Sequence, residues 1–188
     1  MKITLKSGII FAFAWILIKL SVFGMGISSE DSYLPMIFAN MLFMILAITV
    51  GLYLQKRKET EDGNTLSDIK NGMIAGVPYA IIISVFIYFY YSKIDPDFCK
   101  HKVAETEIEL KKTMDDPIKH KQLRDSNPSY EVMTDKQLEK SIMDNSKSIS
   151  NPKSHGIMAI QGLLFYATLN SIFITVIMRK VVFRNRKK

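Results

Sequence analysis

The stretch GIIFAFAWILIKLSVFGMGI, residues 8–27, decides the fold, because it is about 20 residues long and contains a single charged side chain, Lys19. Three more apolar blocks of similar length follow at 34–54, 72–92 and 157–178. At a rise of about 1.5 Å per residue, such a helix crosses the roughly 30 Å hydrocarbon core of a bilayer. We therefore predict an all-α membrane protein with four transmembrane helices.

A soluble fold is the alternative, since the composition of the whole chain, 48% hydrophobic and 23% charged, is ordinary. The apolar and charged residues are nevertheless segregated into separate blocks, as in membrane proteins. Helices buried in a soluble domain would also keep a polar face, which these blocks lack. The first block follows Lys2 and Lys6, as a secretory signal would, but it is long for one, and we expect the first membrane helix here.

Basic residues predict the orientation of the helices. Residues 28–33 contain no lysine or arginine, whereas residues 56–58 are all basic and residues 179–188 include six basic side chains. Because cytoplasmic loops are enriched in lysine and arginine, we expect both termini in the cytoplasm. In a bacterial inner membrane, residues 93–154 are then periplasmic. They contain twelve basic and twelve acidic residues, so the net charge of +7 belongs to the cytoplasmic side.

The expected organisation has three parts. Residues 1–92 hold transmembrane helices 1–3, residues 93–154 form a short extracytoplasmic helical segment, and residues 155–188 hold helix 4 and a basic cytoplasmic tail. The middle part contains two Asp-Pro helix starts, at Asp95 and Asp116, and a capping box. We expect two or three short amphipathic helices there, which are too small to form a core by themselves.

Helix 3 is predicted to be the central packing helix. Gly72, Gly76, Ala80 and Ser84 are spaced four residues apart and share one face, and small residues let a second helix approach closely. The end of this helix is rich in tyrosine, and we expect an interfacial aromatic belt formed by Tyr88, Tyr90 and Tyr91.

Lys19 is the candidate for a functional group within the membrane, because a charge in a span is costly. The four apolar blocks contain no carboxylate to pair with it. At a similar depth lie Asn40 and Ser84, and the three residues could form a polar layer inside the bundle. The alternative is that the Lys19 stem extends to the outer headgroups while the other polar groups bond to nearby carbonyls.

The sequence gives little sign of catalytic chemistry. Cys99 and His101 lack the spacing of zinc sites, and His120 and His155 lie on other predicted elements. The single cysteine also rules out an internal disulfide, and phosphate-loop, nucleophile-elbow and zinc-protease motifs are missing from the sequence. We therefore expect no enzyme activity, metal or cofactor. The basic tail begins directly at the end of a helix, as a topology signal does, so nucleic acid is not expected as a partner.

The chain resembles an uncharacterised bacterial family, the domain of unknown function 4199, which is common in Bacteroidota. The resemblance rests on four spans, the sequence IDPDF (residues 94–98) that closes the third, a helical outer segment and a late Asn-Pro before the fourth. It supports the topology and implies no chemistry, because the family has no assigned activity.

The functional expectation is an accessory or scaffolding subunit of a larger assembly in the inner membrane. Its partners would be the lipid bilayer and either a second membrane protein or further copies of itself. The alternative is a small transport or sensing component that binds a ligand at the Lys19 layer or at the outer segment.

Overall fold

The computed structural model describes residues 2–58 and 64–182, and all of its regular elements are helices. The helices are α1 (Ile3–Gly24), α2 (Ser29–Lys58), α3 (Thr65–Phe89), α4 (Asp97–Asp115), α5 (Pro117–Asp125), α6 (Pro128–Glu131), α7 (Asp135–Ile149) and α8 (Pro152–Ile177). A π-helical turn follows α3 at Tyr90–Ile94, and another follows α8 at Met178–Val182. The expected all-α class is confirmed.

Four helices are long and apolar enough to cross a membrane, so the predicted multi-pass architecture is confirmed at that level. The spans are Ile3–Gly24, Ser29–Lys58, Thr65–Ile94 and Pro152–Val182. Each overlaps one of the predicted blocks, but three of them extend beyond both ends of their block. The apolar blocks underestimated these helices because their polar end residues are helical as well.

The described chain divides into two compact units. The bundle unit comprises the residues up to Ile87 together with those from Gly156 onward, and the inserted unit is Tyr88–His155. The predicted three-part organisation, with boundaries at residues 92/93 and 154/155, stays a prediction.

The interior of the bundle unit is built largely from small and medium side chains. Ala12, Ala47, Ala75, Ala80 and Ala167 are fully buried, whereas large apolar side chains such as Phe38 and Phe165 are exposed. In a membrane bundle, lipid covers the outward apolar groups, and small interior residues allow close helix packing. Trp15 lies in this interior and donates a hydrogen bond from Nε1 to the Met36 carbonyl, 3.2 Å away.

In the inserted unit, local sequence signals set the helix starts. Asp116 accepts hydrogen bonds from the backbone amides of Ile118 and Lys119, and Thr134 with Gln137 forms the capping box at the start of α7. These groups satisfy amides that have no partner within their helices. The unit contains four helices, α4 to α7, so the expectation of two or three was too low.

Candidate functional site

The strongest concentration of buried charge lies on three helices of the bundle. Asp68, in the first turn of α3, is 2% exposed. Its Oδ1 atom lies 2.9 Å from Lys56 Nζ at the end of α2, and its Oδ2 atom accepts a hydrogen bond of 2.6 Å from Arg179 Nε after α8. We call these three residues the Asp68 cluster. It joins three membrane-crossing helices through one carboxylate.

The sequence interpretation missed this cluster. It placed the start of helix 3 at Gly72, so that Asp68 fell in a polar loop, and it found no carboxylate in any span. In the structure α3 begins at Thr65, and the span Thr65–Ile94 includes Asp68. Lys56 and Arg179, which were interpreted only as topology signals, are its ion-pair partners. One feature of the sequence could have identified Asp68. It lies four residues before Gly72, so a helix extended by one turn places it on the same face as the small-residue stripe.

The geometry of the Asp68 cluster favours a structural role for its charges. Two cations on different helices face one carboxylate that protein atoms almost completely cover. A buried charge pair is weak evidence for net stability, but removal of one partner leaves the other charge buried and uncompensated.

The two glycines of the predicted packing stripe on α3 lie close to α8. A Cβ atom added to Gly72 would lie 2.9 Å from Ser171 Oγ, and one added to Gly76 would lie 2.7 Å from Ala167 Cβ. On α1, a Cβ atom at Gly8 would overlap the carbonyl oxygen of Ala75. These glycines therefore stand where two helices approach most closely. The role of α3 as the central packing helix stays a prediction. A larger residue at Gly76 would disturb these contacts and so test it.

Two hydroxyl groups of α8 lie buried along this interface. The side chains of Ser171 and Thr175 are 0% and 1% exposed, and their hydroxyl oxygens have no hydrogen-bond partner among the described residues. A buried hydroxyl without a partner costs free energy relative to an apolar group of the same shape. These hydroxyls therefore represent a local cost of the close α3–α8 contact.

The residues of the predicted polar layer are all buried, and two of them have identified hydrogen bonds. Tyr79 Oη donates to Asn40 Oδ1 at 2.6 Å and also lies 3.0 Å from the Asn40 carbonyl oxygen. Ser84 Oγ donates to the carbonyl of Ala80, one turn earlier in its own helix. The Asn40 side chain thus binds a tyrosine that the sequence interpretation did not include. A common layer with Lys19 stays a prediction.

Lys19 is only 4% exposed, so protein atoms cover both its stem and its ammonium group. A lysine that extends along a lipid-facing surface to the headgroups would leave its stem uncovered by protein. Whether the Lys19 ammonium group extends to the outer headgroups or belongs to a polar layer inside the bundle stays a prediction.

A groove in the inserted unit is the second candidate site. It has a volume of about 590 Å³ and is bounded by the π-helical turn after α3, by α4 and by the junction of α7 with α8. The π-helical turn is closed by a hydrogen bond from the Asp95 amide to the Tyr90 carbonyl. Its consecutive residues Tyr90 and Tyr91 are both buried. The predicted aromatic belt is therefore wrong for these two tyrosines.

Aromatic rings fix Tyr91 at this groove. Its ring stacks on Phe98 with the centroids 4.7 Å apart, and the His155 ring lies 4.9 Å from it. Cys99 also lines the groove, and burial, with a smaller contribution from Asp95, raises the pKa of its thiol. The thiol is therefore neutral at physiological pH, and thiolate chemistry is not favoured there.

The remaining candidate ligands for a metal lie apart. His120 faces Asp135 and Arg124, whereas His155 packs on the two aromatic rings at the groove. Within residues 2–58 and 64–182, no group of three histidine, cysteine or acidic side chains is arranged to hold a metal ion.

Comparison with known proteins identifies the family. A family model described as a protein of unknown function, DUF4199, matches residues 6–180, so the chain belongs to this family. Searches of curated proteins and of solved structures found no match.

Proposed function

We propose that this member of the DUF4199 family is an accessory or scaffolding subunit of a membrane assembly, without catalytic chemistry or a cofactor of its own. In this proposal it lies in a bacterial inner membrane with both termini in the cytoplasm, and its inserted unit contacts a partner membrane protein or a second copy. The distribution of basic residues supports the orientation.

The observation that carries the proposal is the surface of α5 and α6. None of the residues in these two helices, all of which the structure describes, is buried. Ile118 on α5 is 71% exposed, and Val132 directly after α6 is 85% exposed. Both belong to the segment between the third and fourth candidate spans. These exposed apolar side chains support a contact surface there, since an exposed apolar patch marks an interaction site.

Polar contacts, rather than a core, hold these helices in place. The guanidinium group of Arg124 donates to the carbonyl oxygens of Tyr130 and Met133, at 3.0 Å and 2.8 Å, and to Asp135 Oδ1 at 2.5 Å. One side chain thereby ties α5 to α6 and to the start of α7. A segment fixed before binding loses less conformational entropy when a partner docks, which suits a contact surface.

Site-specific photocrosslinking in intact cells tests this proposal. A photoreactive amino acid is placed at Val132 or at Ile118, and at Lys121, an exposed polar residue of α5, as the matched control. We expect one discrete crosslinked protein from Val132 and Ile118 and none from Lys121. The same product should disappear when Arg124→Ala is added, because the contact surface then loses its fixed conformation.

The identity of the product decides between the partners. A different membrane protein, or a second copy of this chain, supports the scaffolding role and names the assembly. Crosslinks to lipid alone, or products equally strong from Lys121, would overturn it.

A further inference from the structure

The groove of the inserted unit combines an apolar lining with positive charge. Its lining includes Tyr91, Val103 and Pro152, and the side chains of Lys100 and Lys147 are its only formally charged ones. Lys100 comes from α4 and Lys147 from the last turns of α7, so the two ammonium groups belong to different walls. The volume of about 590 Å³ lies within the range that small-molecule sites occupy.

The two lysines differ in how firmly they are engaged. Lys100 Nζ lies 2.7 Å from Asp97 Oδ1, but both side chains are largely exposed, and such surface pairs are weak. Lys147 has no carboxylate within ion-pair distance in the described part of the chain. The charge of Lys147 contributes to the lowered pKa of Glu107, but Lys111 contributes more. An incoming anion would therefore find Lys147 available and could compete for Lys100.

The amide side chain of Asn151, at the α7 end of the groove, already has partners within the protein. Asn151 Nδ2 donates to the Lys147 and Ser148 carbonyls, and Asn151 Oδ1 accepts from the Ser154 amide. The Cys99 thiol is neutral, as its raised pKa requires. The charged groups of the lining are therefore two ammonium groups, beside the hydroxyls of Ser92 and Ser150. Their combination with apolar surface selects for a ligand with an anionic end and an aliphatic body.

We propose that this groove binds a small soluble amphipathic carboxylate, with the carboxylate at Lys147 and Lys100 and the aliphatic body against Val103, Pro152 and the edge of Tyr91. Charge complementarity sets the orientation, and the apolar lining supplies the driving force. The proposal is independent of the scaffolding role, because the residues involved are not those of the α5–α6 surface.

Cys99 provides the measurement, because it lines the groove and is the only cysteine in the sequence. The full-length protein is placed in nanodiscs of uncharged phosphatidylcholine, and the alkylation rate of Cys99 by iodoacetamide is followed by mass spectrometry. The probe is octanoate, with octanamide as the neutral control of equal length and acetate as the anion without an aliphatic body. Binding of labelled octanoate is also measured directly by equilibrium dialysis against protein-free nanodiscs.

We expect octanoate to slow the alkylation in a saturable manner and octanamide and acetate to have little effect. Lys147→Gln should weaken the apparent affinity by about fivefold or more, since a charge-assisted hydrogen bond is lost. Lys136→Gln, which removes an exposed lysine elsewhere on α7, should leave the affinity unchanged. Val103→Phe should abolish binding by filling the groove and provides a second test that does not depend on charge.

Several results would overturn the proposal. If octanamide slowed the alkylation of Cys99 as much as octanoate, the ammonium groups would have no role in binding. If acetate slowed it as much as octanoate, the apolar lining would have no role. Protection that appears only when anionic phosphatidylglycerol is added to the nanodiscs would identify a membrane lipid rather than a soluble carboxylate. Failure of octanoate to bind saturably in the dialysis experiment would rule out the ligand class.

Discussion

Replacement of Asp68 by asparagine tests the Asp68 cluster most directly. The substitution keeps the shape of the side chain and removes its charge, so that Lys56 and Arg179 are left without their common carboxylate. Removal of one partner from a buried ion pair costs roughly 3–5 kcal/mol. The Arg179 side chain is 31% exposed, so water relieves part of this cost. We therefore expect the free energy of unfolding to fall by about 3 kcal/mol.

The assay is equilibrium unfolding in mixed micelles, in which the fraction of denaturing detergent is increased and refolding is checked. Asp97→Asn is the matched control, because Asp97 forms an ion pair of similar length with Lys100, but an exposed one. It should not change the stability measurably. The double variant Asp68→Asn with Arg179→Gln should be more stable than the sum of the two single effects predicts, because the second change removes one of the two cations that the Asp68 carboxylate faces.

Two results would refute this reasoning. If Asp68→Asn destabilised the protein no more than Asp97→Asn did, burial would not strengthen the ion pairs. If the effects of the single variants were strictly additive in the double variant, the charges of Asp68 and Arg179 would not be coupled.

Four further predictions concern packing, hydrogen bonding and acid stability. Gly76→Ala should destabilise the bundle by about 1–3 kcal/mol in the same unfolding assay, because the added Cβ atom would overlap Ala167. Gly162→Ala is the control: nothing lies within 4 Å of that position, so the change should be neutral or slightly stabilising. Tyr79→Phe should cost about 1–3 kcal/mol, because the buried Asn40 side chain loses its donor, and the exposed Tyr88→Phe should cost much less. Thr175→Val should be neutral or stabilising in that assay, because it removes a buried hydroxyl without a partner, and a clear loss of stability would contradict this account. The hydrogen bond from Arg124, with smaller contributions from His120, lowers the folded-state pKa of Asp135 below its usual 3.8. Its stabilising contribution is therefore present above that pH and is lost as the pH falls through the lowered value. The protection factors of the α5–α7 amides, which compare the observed exchange rate with the intrinsic rate at the same pH, should be smaller at pH 3 than at pH 6, and Asp135→Asn should remove most of this difference.

Local features of the sequence predicted the parts of this protein that depend on neighbouring residues. The apolar blocks identified the four spans because crossing a bilayer requires about 20 consecutive apolar residues, whatever those residues contact. The helix starts at Asp116 and Thr134 were likewise predictable, because a cap binds amides only two or three residues away.

Only the tertiary structure decided which polar groups meet. Asp68 and Arg179 are 111 residues apart in the sequence, and no local pattern pairs one with the other. The burial of Lys19 depends on how neighbouring elements cover it, and the groove depends on how the π-helical turn, α4 and α7 are placed. The physical reason is that helix formation and membrane insertion are set by runs of adjacent residues, whereas ion pairs and grooves arise where helices from distant parts of the chain come together.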